Sequence, residues 1–143
     1  QGYLEGLNML ANMRLCSNVL AQQVVQTSLG GTQSVDELLL PGGRIYEQRE
    51  FIYKAMNEIP GISAVKPKAA FYIFPKIDTA MYNIHDDEQF VLDFLKQEKV
   101  MLVHGRGFNW KDPDHFRIVY MPRVDELAQI QEKMTRFLSK YRQ

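Results

Sequence analysis

The stretch Ile-Ser-Ala-Val-Lys-Pro-Lys-Ala-Ala-Phe-Tyr-Ile-Phe-Pro-Lys-Ile, residues 62–77, marks a change in the periodicity of the chain. Before it, apolar residues recur every three or four positions over residues 45–59, which predicts an amphipathic helix. Within it, residues 62–65 and 70–77 are two runs of aliphatic and aromatic residues on either side of a Lys-Pro-Lys segment. Such runs predict two short strands joined by a tight turn or bulge.

The elements after residue 77 predict a small sheet with helices on one face. Asp86 and Asp87 place carboxylates at the start of a helix, where the helix macrodipole favours negative charge. Residues 100–103 and 116–121 predict two further strands that a long loop connects, and a final helix follows. Since directly joined strands favour antiparallel pairing, this order predicts an α+β two-layer sandwich. Its sheet is expected to be mixed or antiparallel, and a helical arm precedes it.

The first forty residues differ from the rest of the chain in charge. Their only charged residues are Glu5, Arg14, Asp36 and Glu37, although the chain has 17 basic and 17 acidic residues. Apolar residues at helical spacing predict two helices here, and Asn18 is suited to cap the second one. A charge-poor and apolar N-terminal segment needs a surface that covers it. We therefore predict a helical arm over residues 1–41, which packs against a missing part of the protein, and a separate α+β unit over residues 42–143. A helical layer within one self-contained domain is the alternative.

The composition is typical of a globular protein and argues against several classes of function. A formal net charge of zero argues against a dedicated nucleic-acid binder or a membrane-surface protein, which normally carry a basic excess. No apolar run approaches the length of a membrane span. The single cysteine, Cys16, excludes an internal disulfide framework and favours a reducing, cytoplasmic location. In its apolar context Cys16 is expected to be a small buried residue.

Few other residues suggest a catalytic, metal-binding or ligand-binding function. His85, His104 and His115 lack the spacing of metal ligands, so no metal site is expected. Residues 104–108, His-Gly-Arg-Gly-Phe, form a glycine-containing loop without the full spacing of a phosphate-binding motif. The cluster at residues 86–88 is most simply a helix cap. We expect no catalytic residue within this chain.

Arg117 is the one residue that points to a ligand. It lies within Phe-Arg-Ile-Val-Tyr, residues 116–120, which should be a strand with at least one buried face. Strand alternation places Arg117 on the same face as Val119, opposite Phe116 and Ile118. A guanidinium does not lose its proton, and its planar fork suits a carboxylate held by two parallel hydrogen bonds. A surface-facing arginine and an arginine paired with an internal carboxylate are the two alternatives.

Three stretches resemble the motifs of one enzyme family. Residues 66–75, Lys-Pro-Lys-Ala-Ala-Phe-Tyr-Ile-Phe-Pro, resemble the Pro-x-Gly-Ala-Phe-Tyr motif of the fold-type I, class I/II aminotransferases. Residues 100–108 are similar to the Val-x-x-x-Pro-Gly-x-x-Phe loop of that family. Residues 116–118, Phe-Arg-Ile, resemble the strand that carries its arginine for the substrate α-carboxylate. Order and spacing agree with the family, and residues 41–49 and 83–87 look like its bacterial glutamate–pyruvate (alanine) branch.

The resemblance implies that residues 42–143 are the small, C-terminal domain of an enzyme that moves an amino group between L-alanine and 2-oxoglutarate. It also implies that the helical arm over residues 1–41 belongs to or abuts the missing large domain. It implies that Arg117 clamps the substrate α-carboxylate. It also implies pyridoxal phosphate as cofactor, amino acids and 2-oxo acids as substrates, and a homodimer, with no nucleic-acid or membrane partner. The family's cofactor lysine follows a Ser-x-Ser-Lys pattern, which no lysine here has. We therefore expect the cofactor to be bound in the full-length enzyme, and neither bound cofactor nor activity in this chain alone.

Three residues depart from the family's motifs. Ala69 stands where glycine is usual, so the turn there either avoids a positive φ or is strained. His104 replaces a common proline, and Asn109 stands where glycine is frequent. The alternative function is a free-standing, non-catalytic α+β module that binds a ligand or a partner, which the missing lysine favours.

Overall fold

The computed structural model describes residues 2–13 and 16–143. The chain divides into two compact units, Gln1–Asp36 and Glu37–Gln143. This division falls a few residues before the predicted boundary at residue 41, and the assignment of the arm to a larger domain stays a prediction. In the part of the chain that is described, no helix is both long and apolar enough to cross a membrane.

The first unit contains the two predicted helices, α1 (Gly2–Asn12) and α2 (Val19–Gly30). The Asn18 side chain caps α2 by accepting hydrogen bonds from the Leu20 and Ala21 amides at 2.9 and 3.3 Å, as predicted. The predicted end of the first helix, residues 14 and 15, lies outside the described residues. Neither helix contains a buried residue. The expectation that Cys16 is buried was wrong, because Cys16 lies in the exposed bend between the helices.

The second unit contains the remaining helices. They are α3 (Asp36–Leu39, which begins at the unit boundary), α4 (Arg44–Asn57), α5 (Thr79–Tyr82), α6 (Asp87–Glu98) and α7 (Val124–Lys140). The amphipathic prediction for α4 is confirmed, since Ile52, Ala55 and Met56 on one face are all buried. The sequence missed α5 because this short helix has no room for a periodic pattern. Asp78 caps it by accepting from the Met81 amide at 2.9 Å.

The strands are short and all their pairings are antiparallel. They are β1 (Ile62–Ser63), β2 (Tyr72–Ile73), β3 (Lys76–Ile77), β4 (Val103–His104) and β5 (Phe116–Val119). β1 pairs with β3, and β2, β5 and β4 form a three-stranded sheet in that order. The α+β class is confirmed. The single strand predicted over residues 70–77 was wrong, because Pro75 has no amide hydrogen with which to continue a ladder and the run divides into β2 and β3.

The sheet has a buried face and a partly open face. Phe116 and Ile118 are buried, whereas Arg117 is half-buried and Val119 exposed, so the predicted alternation along β5 is confirmed. The buried face belongs to one core that the helices complete. That core includes Ile52, Met56, Phe90, Phe94, Leu127, Met134, Phe137 and Leu138. Arg117 therefore stands on the side of the sheet that faces away from the main core.

Candidate functional site

Arg117 lies in the central strand of the three-stranded sheet, among aromatic rings. In the β2–β5 pair Tyr72 is opposite Val119, and in the β4–β5 pair Val103 is opposite Arg117. Opposed residues of antiparallel strands share a face, so these four side chains lie on the open face together. The Arg117 guanidinium carbon is 4.6 Å from the ring centroid of Tyr72 and 4.2 Å from that of Phe108. These distances are within the range of cation–π attraction.

The aromatic contacts leave the hydrogen-bonding groups of Arg117 unused. Its Nε atom is buried and has no hydrogen-bond partner. Among residues 2–13 and 16–143, no carboxylate forms an ion pair with Arg117, so the alternative of an internal acidic partner is not what the structure shows. A buried polar group without a partner costs about 1–3 kcal/mol, more if it is charged. The arrangement therefore favours an anionic ligand as the partner of this guanidinium.

Phe108 reaches Arg117 from a tight turn, the 3₁₀ segment Gly105–Phe108. The Gly105 amide donates to the His115 carbonyl at 2.9 Å, and a Cβ at residue 105 would lie 2.7 Å from that oxygen, so only glycine fits. Asn109 ends the turn with φ of 58°. Asparagine tolerates this left-handed conformation better than most residues, which accommodates the departure from the family's glycine.

An aromatic cluster supports the other end of this loop. His115 stacks on Phe74 with ring centroids 4.9 Å apart, and Trp110 lies 4.3 Å from His115. Phe74 also meets the Phe108 ring edge-on at 6.2 Å. Edge-on and stacked contacts of this kind add to the stability that burial alone provides. The cluster thereby connects the loop to the strand region after β2.

Asp114 connects the polar atoms of the same cluster. It accepts hydrogen bonds from Trp110 Nε1 at 2.8 Å and from His115 Nδ1 at 2.7 Å, and Lys76 Nζ is 3.2 Å away. Burial opposes ionisation of this carboxyl, but the hydrogen bonds from His115, Trp110 and Lys76 outweigh it and lower the pKa of Asp114. The ionised Asp114 side chain therefore holds two rings of the aromatic cluster, those of Trp110 and His115, in place.

A second carboxylate fixes the turn from the side of α6. Asp87 is only 1% exposed and accepts from the Arg106 backbone amide at 2.8 Å and from Arg106 Nε. Asp86 caps α6 by accepting from the Glu88 amide at 2.9 Å, which confirms the cap predicted from sequence. Burial would raise the pKa of Asp87, but the backbone and side-chain hydrogen bonds from Arg106 outweigh it and lower this pKa. The sequence did not reveal the Asp87–Arg106 pair, because no local pattern relates these two positions.

The histidines do not form a metal site. His104 pairs with Phe116 in the β4–β5 ladder, and its Nδ1 atom lies 3.9 Å from Asp87 without a hydrogen bond. His85 precedes α6 and His115 belongs to the aromatic cluster. In the described ranges, no group of three or more His, Cys, Asp and Glu side chains could hold a metal ion.

The turn before β2 is strained at one residue. Of the two outcomes predicted for Ala69, the structure shows the first, since Ala69 has no positive φ; the positive φ, 55°, is at Ala70. Tyr120, which is fully buried, holds the turn by donating from its hydroxyl to the Ala70 carbonyl at 3.0 Å. Its backbone amide donates to the Phe71 carbonyl at 3.1 Å. The aromatic core residue thus determines where β2 begins and where Tyr72 meets Arg117.

Arg117 is thus a half-buried cation, with a buried and unpartnered Nε, on the partly open face of an α+β sheet. No family model matches the chain. It is 59% identical to glutamate–pyruvate aminotransferase AlaA of Haemophilus influenzae, with 100% of the chain and 35% of that protein aligned. It is 52% identical over 141 residues to alanine aminotransferase of Mycobacterium tuberculosis, which covers 99% of the chain and 33% of that protein.

Solved structures that resemble the chain are also aminotransferases. An aminotransferase from Escherichia coli matches with a TM-score of 0.83 and 59% identity, covering 100% of the chain and 35% of that structure. Alanine aminotransferase from Pyrococcus furiosus matches with a TM-score of 0.71 and 39% identity, over 95% of the chain and 34% of that structure. The chain belongs to the aminotransferase family. It spans about a third of the length of the relatives it matches.

Proposed function

We propose that this chain is the small-domain part of an aminotransferase that moves an amino group between L-alanine and 2-oxoglutarate. In this proposal Arg117 binds the α-carboxylate of the substrate. The observation that carries it is the Arg117 guanidinium, whose buried Nε has no partner although the cation is held against Tyr72 and Phe108. The identity to proteins named glutamate–pyruvate and alanine aminotransferases supports the choice of substrates.

The geometry of arginine explains why this residue type is needed. A guanidinium binds a carboxylate through two parallel hydrogen bonds, so it fixes the orientation of the carboxylate as well as its position. A lysine ammonium attracts the same charge without fixing orientation. Holding the substrate so that its reacting bond is aligned can lower a reaction barrier by several kcal/mol. Tyr72 and Phe108 support this role, because their rings hold the guanidinium while its Nε has no hydrogen-bond partner within the described part of the chain.

Pyridoxal phosphate, when bound, supplies the electron sink for transamination. The residues of this chain do not fit a site for it. A cofactor lysine needs an enclosed site, yet every lysine here is exposed except Lys133, which is half-buried and donates to the Glu98 carbonyl at 3.0 Å. In the proposed enzyme the cofactor is therefore held by residues outside this chain. This chain supplies the group that orients the substrate.

The proposed enzyme is a cytoplasmic homodimer that acts on amino acids and 2-oxo acids. The apolar residues of α1 and α2 support a covering surface in the full-length protein. Leu4, Leu10, Leu20 and Leu29 are all more than half exposed, between 65% and 79%. Monomeric proteins rarely expose so many large apolar side chains together, so these helices are expected to be covered by another part of the enzyme or by the second subunit.

The test is Arg117→Ala in the full-length enzyme. Loss of two charge-assisted hydrogen bonds should lower kcat/KM for alanine and for 2-oxoglutarate by about a hundredfold. Arg117→Lys should also be poor, because it keeps the charge but not the bidentate geometry. Arg123→Ala is the matched control, since Arg123 is an exposed arginine at the start of α7. A change of less than twofold for Arg117→Ala would show that the assigned role is wrong.

The alternative, a non-catalytic α+β module, has only the missing cofactor lysine in its favour. It predicts that the complete protein binds a carboxylate ligand through Arg117 but does not transaminate. Assaying the full-length protein with pyridoxal phosphate, alanine and 2-oxoglutarate distinguishes the two functions, since only the aminotransferase forms pyruvate.

A further inference from the structure

We propose that Asp87 is a positioning residue for the Arg117 site. Through Arg106 it holds the Gly105–Phe108 turn in the place where Phe108 contacts the Arg117 guanidinium. The effect on substrate binding rests on the proposed function of Arg117. The positioning of Phe108 does not, and it can be measured without any assay of activity.

Asp87 has the contacts of a clamp rather than of a helix cap. Asp86 pairs with Arg106 Nη2 and also makes the capping bonds of α6 by accepting from the Glu88 and Gln89 amides. The Asp87 carboxylate makes none of them, and both of its oxygens accept from Arg106, one from the backbone amide and one from Nε. A carboxylate that is 1% exposed requires such partners, because desolvation of an unpaired charge is costly. The burial of Asp87 and its hydrogen bonds from Arg106 therefore stabilise the contact between α6 and the Gly105–Phe108 turn.

The turn transmits this constraint to Phe108 over a short distance. Arg106 and Phe108 belong to the same four-residue 3₁₀ segment, and the Asn109 amide donates back to the Arg106 carbonyl at 3.0 Å. The beginning of the turn is fixed separately by the bond from Gly105 to His115. With both its start and its Arg106 backbone held, the turn leaves little freedom for the direction in which Phe108 leaves the chain.

Phe108 itself is not held strongly by its surroundings. Its side chain is 43% exposed, and its aromatic contact besides Arg117 is the edge-on one with Phe74 at 6.2 Å between centroids. A ring that is nearly half exposed depends on its backbone for its position. Release of Arg106 from Asp87 should therefore move Phe108 away from Arg117 and expose the guanidinium to water.

The first readout is spectroscopic and uses the full-length enzyme labelled with ¹⁵N-arginine. The ring current of Phe108 should displace the Nε–H resonance of Arg117, and Phe108→Leu identifies the undisplaced position. In Asp87→Asn the resonance should move toward the Phe108→Leu position. Arg106→Gln is the second variant, because it keeps the backbone bond to Asp87 and should move the resonance in the same direction by less.

The second readout is kinetic. Asp87→Asn should raise KM for alanine and 2-oxoglutarate about fivefold, the effect of losing roughly one net hydrogen bond, while kcat changes less than twofold. Glu98→Gln is the matched control, since Glu98 accepts from Arg136 Nε at 3.3 Å at the opposite end of the same helix. It should lower stability by a similar amount and leave KM and the Arg117 resonance unchanged.

The outcomes separate the two proposals. If Arg117→Ala abolishes activity but Asp87→Asn and Arg106→Gln leave both the resonance and KM unchanged, the positioning role is wrong and the proposed function stands. If Arg117→Ala has no effect on kcat/KM, the proposed function is wrong, and the resonance still decides whether Asp87 positions Phe108. Should Asp87→Asn fail to fold, Arg106→Gln alone gives the decision.

Discussion

The Arg117 guanidinium carbon lies 4.2 Å from the ring centroid of Phe108, and this contact joins a strand residue to a residue of the preceding loop. The ring attracts the cation without neutralising it, because a quadrupole carries no net charge. Arg117 is therefore held in place while it keeps its full charge for a ligand. A carboxylate partner in the same position would hold the arginine equally well, but it would compete with the proposed carboxylate ligand.

Replacing Phe108 by leucine tests the cation–π contact. Leucine keeps most of the apolar volume but has no aromatic face, so the free energy of unfolding should fall by about 0.5–1 kcal/mol. Urea denaturation followed by circular dichroism measures this change. Phe108→Tyr keeps the aromatic face and serves as the control. Equal destabilisation by leucine and tyrosine would contradict a stabilising role for the aromatic face.

Replacing Gly105 by alanine should disrupt the turn that carries Phe108. The new Cβ would lie 2.7 Å from the His115 carbonyl oxygen, and a backbone atom in a hydrogen bond moves only at the expense of that bond. We expect a loss of about 1–3 kcal/mol of unfolding free energy. Gly107→Ala is the control, because its nearest contact is the His104 ring at 3.3 Å, a side chain that can move. Similar losses for both would show that the close approach at residue 105 is unimportant.

The pH dependence of stability should identify the ionised state of Asp87. Burial acts to raise its pKa, but the hydrogen bonds from Arg106 lower it below the unfolded value, which is about 4. A lowered pKa in the folded state means that the carboxylate stabilises the protein above pH 4, and that this contribution is lost as the pH falls through the folded pKa. The difference in unfolding free energy between wild type and Asp87→Asn should thus be largest near pH 7 and shrink toward pH 3.

The control is the unfolding free energy of Asp112→Asn, measured over the same pH range, since Asp112 is exposed in the loop before β5. Its difference from wild type should be small at every pH. A difference for Asp87→Asn that does not change between pH 7 and pH 3 would show that the charge of Asp87 contributes nothing to folding.

Replacing Lys99 by glycine should stabilise the protein. Lys99 ends α6 in the left-handed conformation, with φ of 57°, and its side chain is exposed. Glycine adopts this conformation without the Cβ clash, so we expect a gain of about 0.5–1 kcal/mol in a thermal unfolding experiment. Lys96→Gly, three residues earlier within the helix, should instead destabilise by about 1 kcal/mol. The same sign for both variants would contradict the explanation.

Much of the fold could be predicted from the sequence because its signals are local. The helical period of α4, the caps at Asn18 and Asp86, and the alternation along β5 each depend on residues within a few positions of one another. Sequence reasoning failed where the local signal was ambiguous. Residues 70–77 have the composition of one strand, but they divide between two sheets at Pro75, which only the pairing of the other strands reveals.

The sequence by itself determined on which face of its strand Arg117 lies, because strand alternation separates Arg117 from Phe116 and Ile118, whatever the strand packs against. Only the tertiary structure decided that Arg117 meets aromatic rings and no carboxylate in the described part of the chain, and that Arg106 is held by the buried Asp87. The physical reason is that both contacts join elements distant along the chain. Their formation depends on how helices and strands bury their apolar faces together, and no short-range periodicity records that arrangement.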